Sequence, residues 1–175
     1  MGFSTVQSVG RVGGGSKRRD YGMRVSYRKG WTSPTTGKST SDQFVLTIDG
    51  DHLDDLGFDI YAAIMIDPDA NELALKSVDE SEVDRTNGDL VIKFRDEKIN
   101  KRDTGYRQLW ISSRSCPPEV FRALDSIVDK SFDHNELYNI SSDVGEPAFS
   151  FIYESVKVTE TTADGGPVDE YSDVE

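Results

Sequence analysis

The segment Gly37-Lys38-Ser39-Thr40 carries residue types that close a phosphate-binding loop: glycine for a tight backbone, lysine for phosphate charge and a hydroxyl for magnesium. That motif also needs a glycine five positions before Gly37, where Thr32 stands, and the nearest glycine, Gly30, is two residues too far. The loop should then open a helix whose amides hold phosphate, yet residues 43–48 have a strand pattern. A flexible Ser/Thr loop is the simpler reading. Asp67, Asp69 and Asn71 repeat the first three ligand positions of a calcium loop. Its sixth position needs glycine for the sharp turn and holds Glu72; its twelfth needs a two-oxygen glutamate and holds Val78. A tight acidic hairpin turn, with Pro68 and Asp69 exposed and no bound metal, fits better.

His52 lies among Asp49, Asp51, Asp54 and Asp55, a composition suited to a metal or to acid–base chemistry. Successive acids around a short helix point in different directions, however, and acids near a helix N-terminus are favoured by its dipole without any ligand. His134 sits in the turn-like Asp133-His134-Asn135, far in sequence from any nucleophile pattern. Cys116 is the only cysteine, so no intrachain disulfide can form, and a reducing compartment or the inside of a particle is expected. Its setting reads as a helix start, not as a reactive thiol. No catalytic residue, metal ligand or cofactor is therefore expected.

Charge is more telling. Residues 1–38 hold eight cations (Arg11, Lys17, Arg18, Arg19, Arg24, Arg28, Lys29 and Lys38) against Asp20 alone, a balance of +7. The other residues carry −19, for −12 in total. Phe3, Tyr21, Tyr27 and Trp31 are interleaved with these cations. Bases stack on rings while Arg and Lys neutralise phosphate, so the pattern suits nucleic acid. It equally suits protein assembly with aromatic anchors, and ordinary local packing stays open. Arg11, Lys17, Arg18, Arg19, Arg24, Arg28, Lys29, Trp31 and Lys38 form the expected partner-binding set. The expected partner is a protein or further copies of this chain, with nucleic acid possible and no membrane: no apolar run of about 18 residues exists. An N-terminus without an apolar core argues against a secretory signal. Val6 stands where a myristoylation motif wants Ser or Thr.

These residues need a scaffold to position them. Residues 1–22 read as a basic, Gly-rich arm, disordered alone because glycine adds backbone entropy and no packing surface. Residues 159–175, with six acids and no cation, read as a solvated tail. The folded domain is expected over 23–158. Met23, Val25 and Tyr27 alternate with Arg24, Ser26 and Arg28, the period of a half-buried strand. Further strands are expected over 44–48, 60–66 and 72–77, with a short helix over 49–56 ended by Gly57. Strands over 89–95 and 106–112, separated by a charged loop containing Gly105, lead into a helix with Pro117 and Pro118 in its first turn. Strands over 136–140 and 148–158 follow. Both halves, about 23–77 and 89–156, thus read strand, strand, helix, strand, strand, as an internal duplication would.

The stretches Phe44 to Gly57, Ala62 to Asp67 and Leu73 to Lys76 resemble AbrB-like swapped-hairpin proteins. The later Leu90-Val91-Ile92-Lys93 and Leu109-Trp110-Ile111-Ser112-Ser113 extend the similarity to small tandem AbrB-like proteins associated with phages. The resemblance covers about 44–156. The family's strand-to-helix joint usually has a proline, whereas Asp49-Gly50 stands at the first joint; Pro117-Pro118 stands at the second. It implies a mainly β (α+β) cradle-loop barrel. The expected function is non-catalytic binding or assembly, phage- or virus-derived, inside a cell or virion. An AbrB-like DNA-binding regulator is the alternative.

Overall fold

The computed structural model describes residues 20–85 and 90–154. The arm before residue 20 and the acidic tail lie outside the described residues.

The first half forms as its pattern predicts. β1 (Met23–Arg28) buries Met23 and Val25 and leaves Arg28 exposed. β2 (Gln43–Asp49) runs into α1 (Gly50–Leu56), whose first turn is capped by Asp49 accepting from the Asp51 amide at 3.1 Å. Gly57 ends the helix at φ 89°, a left-handed conformation that glycine takes without a Cβ clash. β3 (Tyr61–Asp67) and β4 (Glu72–Val78) form a hairpin closed by the Pro68 turn.

The second half departs from expectation in four places. Residues 89–95 are not one strand: β5 (Val91–Lys93) and β6 (Arg95–Ile99) belong to different sheets, and the chain crosses between them at buried Phe94. The expected charged loop is instead β6 turning through Asn100 and Lys101, both at positive φ, into the long β7 (Arg102–Ser112). β6 is an edge strand, so its charged side chains meet water and discourage pairing with other chains. After α2 (Pro118–Asp125), the expected strand over 136–140 shrinks to β9 (Tyr138–Asn139), following the extra two-residue β8 (Ser131–Phe132). Then come α3 (Ser141–Val144) and β10 (Ala148–Ile152), which ends short of the expected 148–158 because Tyr153 and Glu154 leave the ladder; residues 155–158 lie outside the described residues.

The protein is mainly β. One sheet has the order β6-β7-β2-β1-β8 and the other β5-β3-β4-β10-β9, with every pairing antiparallel. The sheets do not close into one barrel. Edge strands of two, three or five residues leave too little ladder to join them. One core lies between the sheets: Val25, Leu46 and Leu109 from the first meet Leu73, Leu75, Phe149 and Phe151 from the second, with Leu124 of α2. Among the described residues, no helix is long and apolar enough to cross a membrane.

Candidate functional site

Alternation along β1 sends Met23 and Val25 inward, so Arg24, Ser26 and Arg28 share the outer face of the first sheet. Register extends that face across three more strands. Ser26 lies opposite Val45, which lies opposite Trp110. Arg24 continues through Thr47 and Gln108 to Arg95. Trp110 is at its centre. The guanidinium carbons of Arg28 and Arg95 each lie 4.8 Å from the Trp110 ring centroid, close enough for cation–π attraction.

Hydrogen bonds hold the ring in place. Trp110 Nε1 donates to Gln108 Oε1 at 3.0 Å, and Gln108 Nε2 donates to Thr47 Oγ1 and Glu97 Oε2, both at 3.2 Å. Thr104 in turn donates to the other Glu97 oxygen at 2.8 Å. Arg24 is partly engaged, with Ser131 Oγ at 3.1 Å and Asp129 at 3.7 Å. Arg28 and Arg95 have no ion pair among the described residues.

The connection between β1 and β2 follows directly on Arg28. Asp42 organises it: one carboxylate oxygen accepts from the Tyr27 hydroxyl and the other from the Gly30 amide at 2.6 Å. Those bonds, the tyrosine's first, hold the Asp42 carboxyl below its ordinary range, and the same contact raises Tyr27. Gly30 is needed there, because a Cβ would sit 2.2 Å from the Thr40 carbonyl oxygen. Trp31 and Thr40 then bond through the Thr40 amide and Trp31 carbonyl at 2.8 Å, and Thr32 bridges to Ser39. Lys38 and Gly37 belong to this ladder, with no helix after them, so the residues resembling a phosphate loop build a hairpin tip. The tip presents Lys29, Lys38 and Trp31, the last 62% exposed.

Of the partner-binding set, Arg24, Arg28, Lys29, Trp31 and Lys38 therefore fall on one sheet face and its adjoining hairpin. Arg11, Lys17, Arg18 and Arg19 lie outside the described residues. Arg95 and Trp110 belong to the face but were not selected from sequence. The available signal was local: Leu109 and Ile111 face inward, so Trp110 between them must face out.

The two histidines also meet. His134 Nε2 lies 2.7 Å from Asp49 Oδ2, and the rings of His52 and His134 are 6.0 Å apart. The sequence reading missed this contact, which joins α1 to the segment between β8 and β9. His52 packs against Phe149 at 5.3 Å, and its Nε2 is buried without a partner. Burial in this setting pushes the His52 pKa down, His134 adds to that, and Asp49 and Asp55 oppose it. The hydrogen bonds of the described residues bring no hydroxyl or thiol to either ring. Protonating His52 disfavours the fold. Stability should be full above the ordinary histidine value of about 6.5 and fall as pH drops below it toward the lowered folded value. Thermal melts between about pH 8 and pH 5 should show that loss, and His52→Phe should flatten it; an unchanged slope would place the titration elsewhere.

The remaining candidates make the following local contacts. Asp67 Oδ1 accepts from the Asp69 and Ala70 amides at 3.1 and 3.3 Å, and Asn71 takes φ 54°, so this carboxylate closes its own hairpin. No group of three or more metal-ligating side chains occurs among the described residues. Cys116 is buried ahead of α2, and burial raises its thiol pKa to about 11, leaving little thiolate at neutral pH.

No family model, curated protein or solved structure matches this chain.

Proposed function

We propose that this is a non-catalytic binding and assembly protein that docks an acidic macromolecular surface on the outer face of its first sheet. The observation carrying this is the pair Arg28 and Arg95, both held on Trp110 and neither joined to a carboxylate among the described residues. Arranged this way, a guanidinium keeps its fork of donors for a carboxylate on another molecule, and such charge-assisted pairs are often bidentate. The indole limits the side-chain freedom lost on docking. Because the rest of the chain is strongly acidic, a neighbouring copy offers a complementary surface, as a component of a phage- or virus-derived particle would. Reversing both charges, as Arg28→Glu/Arg95→Glu, and measuring the mass of the assembly tests this.

A DNA-binding regulator of the AbrB-like kind is the second reading. Exposed Trp31 between Lys29 and Lys38 favours it, since a free indole can stack on a base while lysines contact phosphate. A single-stranded oligonucleotide added to the same measurement separates the two readings.

The strand orders support an internal duplication. Around the pair β7-β2 stand β6 and β1, and around β4-β10 stand β3 and β9. Two equivalent strand–strand–helix–strand–strand units would produce that arrangement. If they are equivalent, residues 1–88 expressed alone should pair β2 with β2 and β4 with β4 of a second copy. An unfolded monomer would count against duplication.

A further inference from the structure

We infer that the acidic segment 159–175 of the same chain occupies the first-sheet face and competes there with any partner, setting Asp169, Tyr171 and Asp173 against Arg28, Trp110 and Arg95. This contact rests on the reading of that face as a dock for acidic surfaces, and it regulates the same site.

Arg28 on β1 and Arg95 on β6 are exposed, and they reach Trp110 of β7 from opposite sides along the strand order β6-β7-β2-β1. The face therefore offers cation, ring and cation in turn. Each guanidinium carbon is 4.8 Å from one ring centroid, so the two are at most twice that distance apart. Residues 159–175 lie outside the described residues, and their sequence supplies the match. Docked in extended form, Asp169, Tyr171 and Asp173 offer carboxylate, ring and carboxylate, because residues two apart share one side. The two aspartates then have Cα atoms about 13 Å apart, close enough for one charge-assisted hydrogen bond to each guanidinium. Tyr171 falls between them, against the partly exposed Trp110. The segment holds six acids and no cation, so its carboxylates have no partner within it.

Chain length selects this segment as the occupant. The described chain leaves the second sheet at its rim, where Ile152 pairs with Glu72 and the Tyr153 amide donates to the Asn71 carbonyl at 3.0 Å. Residues 155–168 separate Glu154 from Asp169. At full extension that connection spans about 50 Å, more than the diameter of about 37 Å expected for a domain of this size. A ligand tethered by a linker that spans the distance acts at an effective concentration on the order of millimolar. A partner's acids must displace it.

The test keeps the full chain and reads fluorescence anisotropy of a labelled synthetic peptide of residues 159–175, with circular dichroism as a folding check. The wild-type face is occupied, so the peptide should bind it weakly. Asp169→Asn/Asp173→Asn in the protein should free the face and tighten peptide binding at least about tenfold. Adding Arg28→Glu/Arg95→Glu to that variant should abolish the binding, and a peptide carrying the same two Asn substitutions should bind at least about tenfold more weakly. By light scattering, the Asp169→Asn/Asp173→Asn protein should self-associate at lower concentration than the wild type. Equal peptide binding by wild type and variant, or binding that survives the arginine reversal, overturns the inference. Self-association abolished by Asp169→Asn/Asp173→Asn would place the segment on a neighbouring copy and equally overturn the same-chain contact. Each of these failures leaves the first-sheet reading standing, because that reading is tested by reversing Arg28 and Arg95 in a chain whose segment 159–175 is unchanged.

Discussion

Phe149→Ala is expected to lower unfolding stability by about 3–5 kcal/mol, the largest effect of any single truncation proposed for this protein. Phe149 is fully buried on β10, its ring centroid 5.6 Å from Phe58 and 6.2 Å from Phe151, with His52 at 5.3 Å. It thus joins the second sheet to the α1 side of the core. Removing the ring forfeits its transfer free energy and leaves a cavity between two hydrogen-bonded sheets that cannot easily collapse. Domains of this kind have about 5–15 kcal/mol in total, so the variant should be marginal at room temperature. Ile152→Ala, on the exposed side of the same strand, should change stability by only about 0.5 kcal/mol. Urea titration of both separates the cases. A cost below about 1 kcal/mol for Phe149→Ala would show that this core position is not closely packed.

Reversing Arg28 and Arg95 together should produce the largest functional loss. Each guanidinium is offered a carboxylate in the proposed complex, and hydrogen bonds to charged groups contribute about 1.5–3 kcal/mol each. Reversal removes both and adds like-charge repulsion, so docking should weaken at least about a hundredfold, since about 1.4 kcal/mol is tenfold. Folding should be nearly unchanged, because both side chains lie on an outer sheet face. Trp110→Ala should also weaken docking, by releasing the two cations from their shared support. That loss should be smaller, since both charges remain.

Where local pattern governs, the sequence was legible. Met23–Arg28 was readable because one face of β1 meets the core and the other meets water, and α1 was readable from the Gly57 stop. β6 was not, because an edge strand with charged residues on both sides has the composition of a loop. β8 and β9, at two residues each, are too short to show any period. The candidate face divides in the same way. Arg24, Arg28, Lys29, Trp31 and Lys38 were found through a local excess of charge. Arg95 and Trp110 join them only through the pairing of β2 with β7 and β7 with β6, a long-range choice that no short window contains. The meeting of His134 with Asp49, 85 residues apart, was hidden for the same reason.

The most direct test of the binding face is the light-scattering mass of the full chain across a salt series, beside Arg28→Glu/Arg95→Glu and with a single-stranded oligonucleotide as a separate arm. Exposed charge pairs are screened by salt, with a Debye length of about 10 Å at 0.1 M. The wild-type chain should self-associate at low salt and dissociate as salt rises, and the double variant should stay dissociated at every salt. A double variant that assembles as the wild type does, with the same salt dependence, would contradict the claim that this face binds.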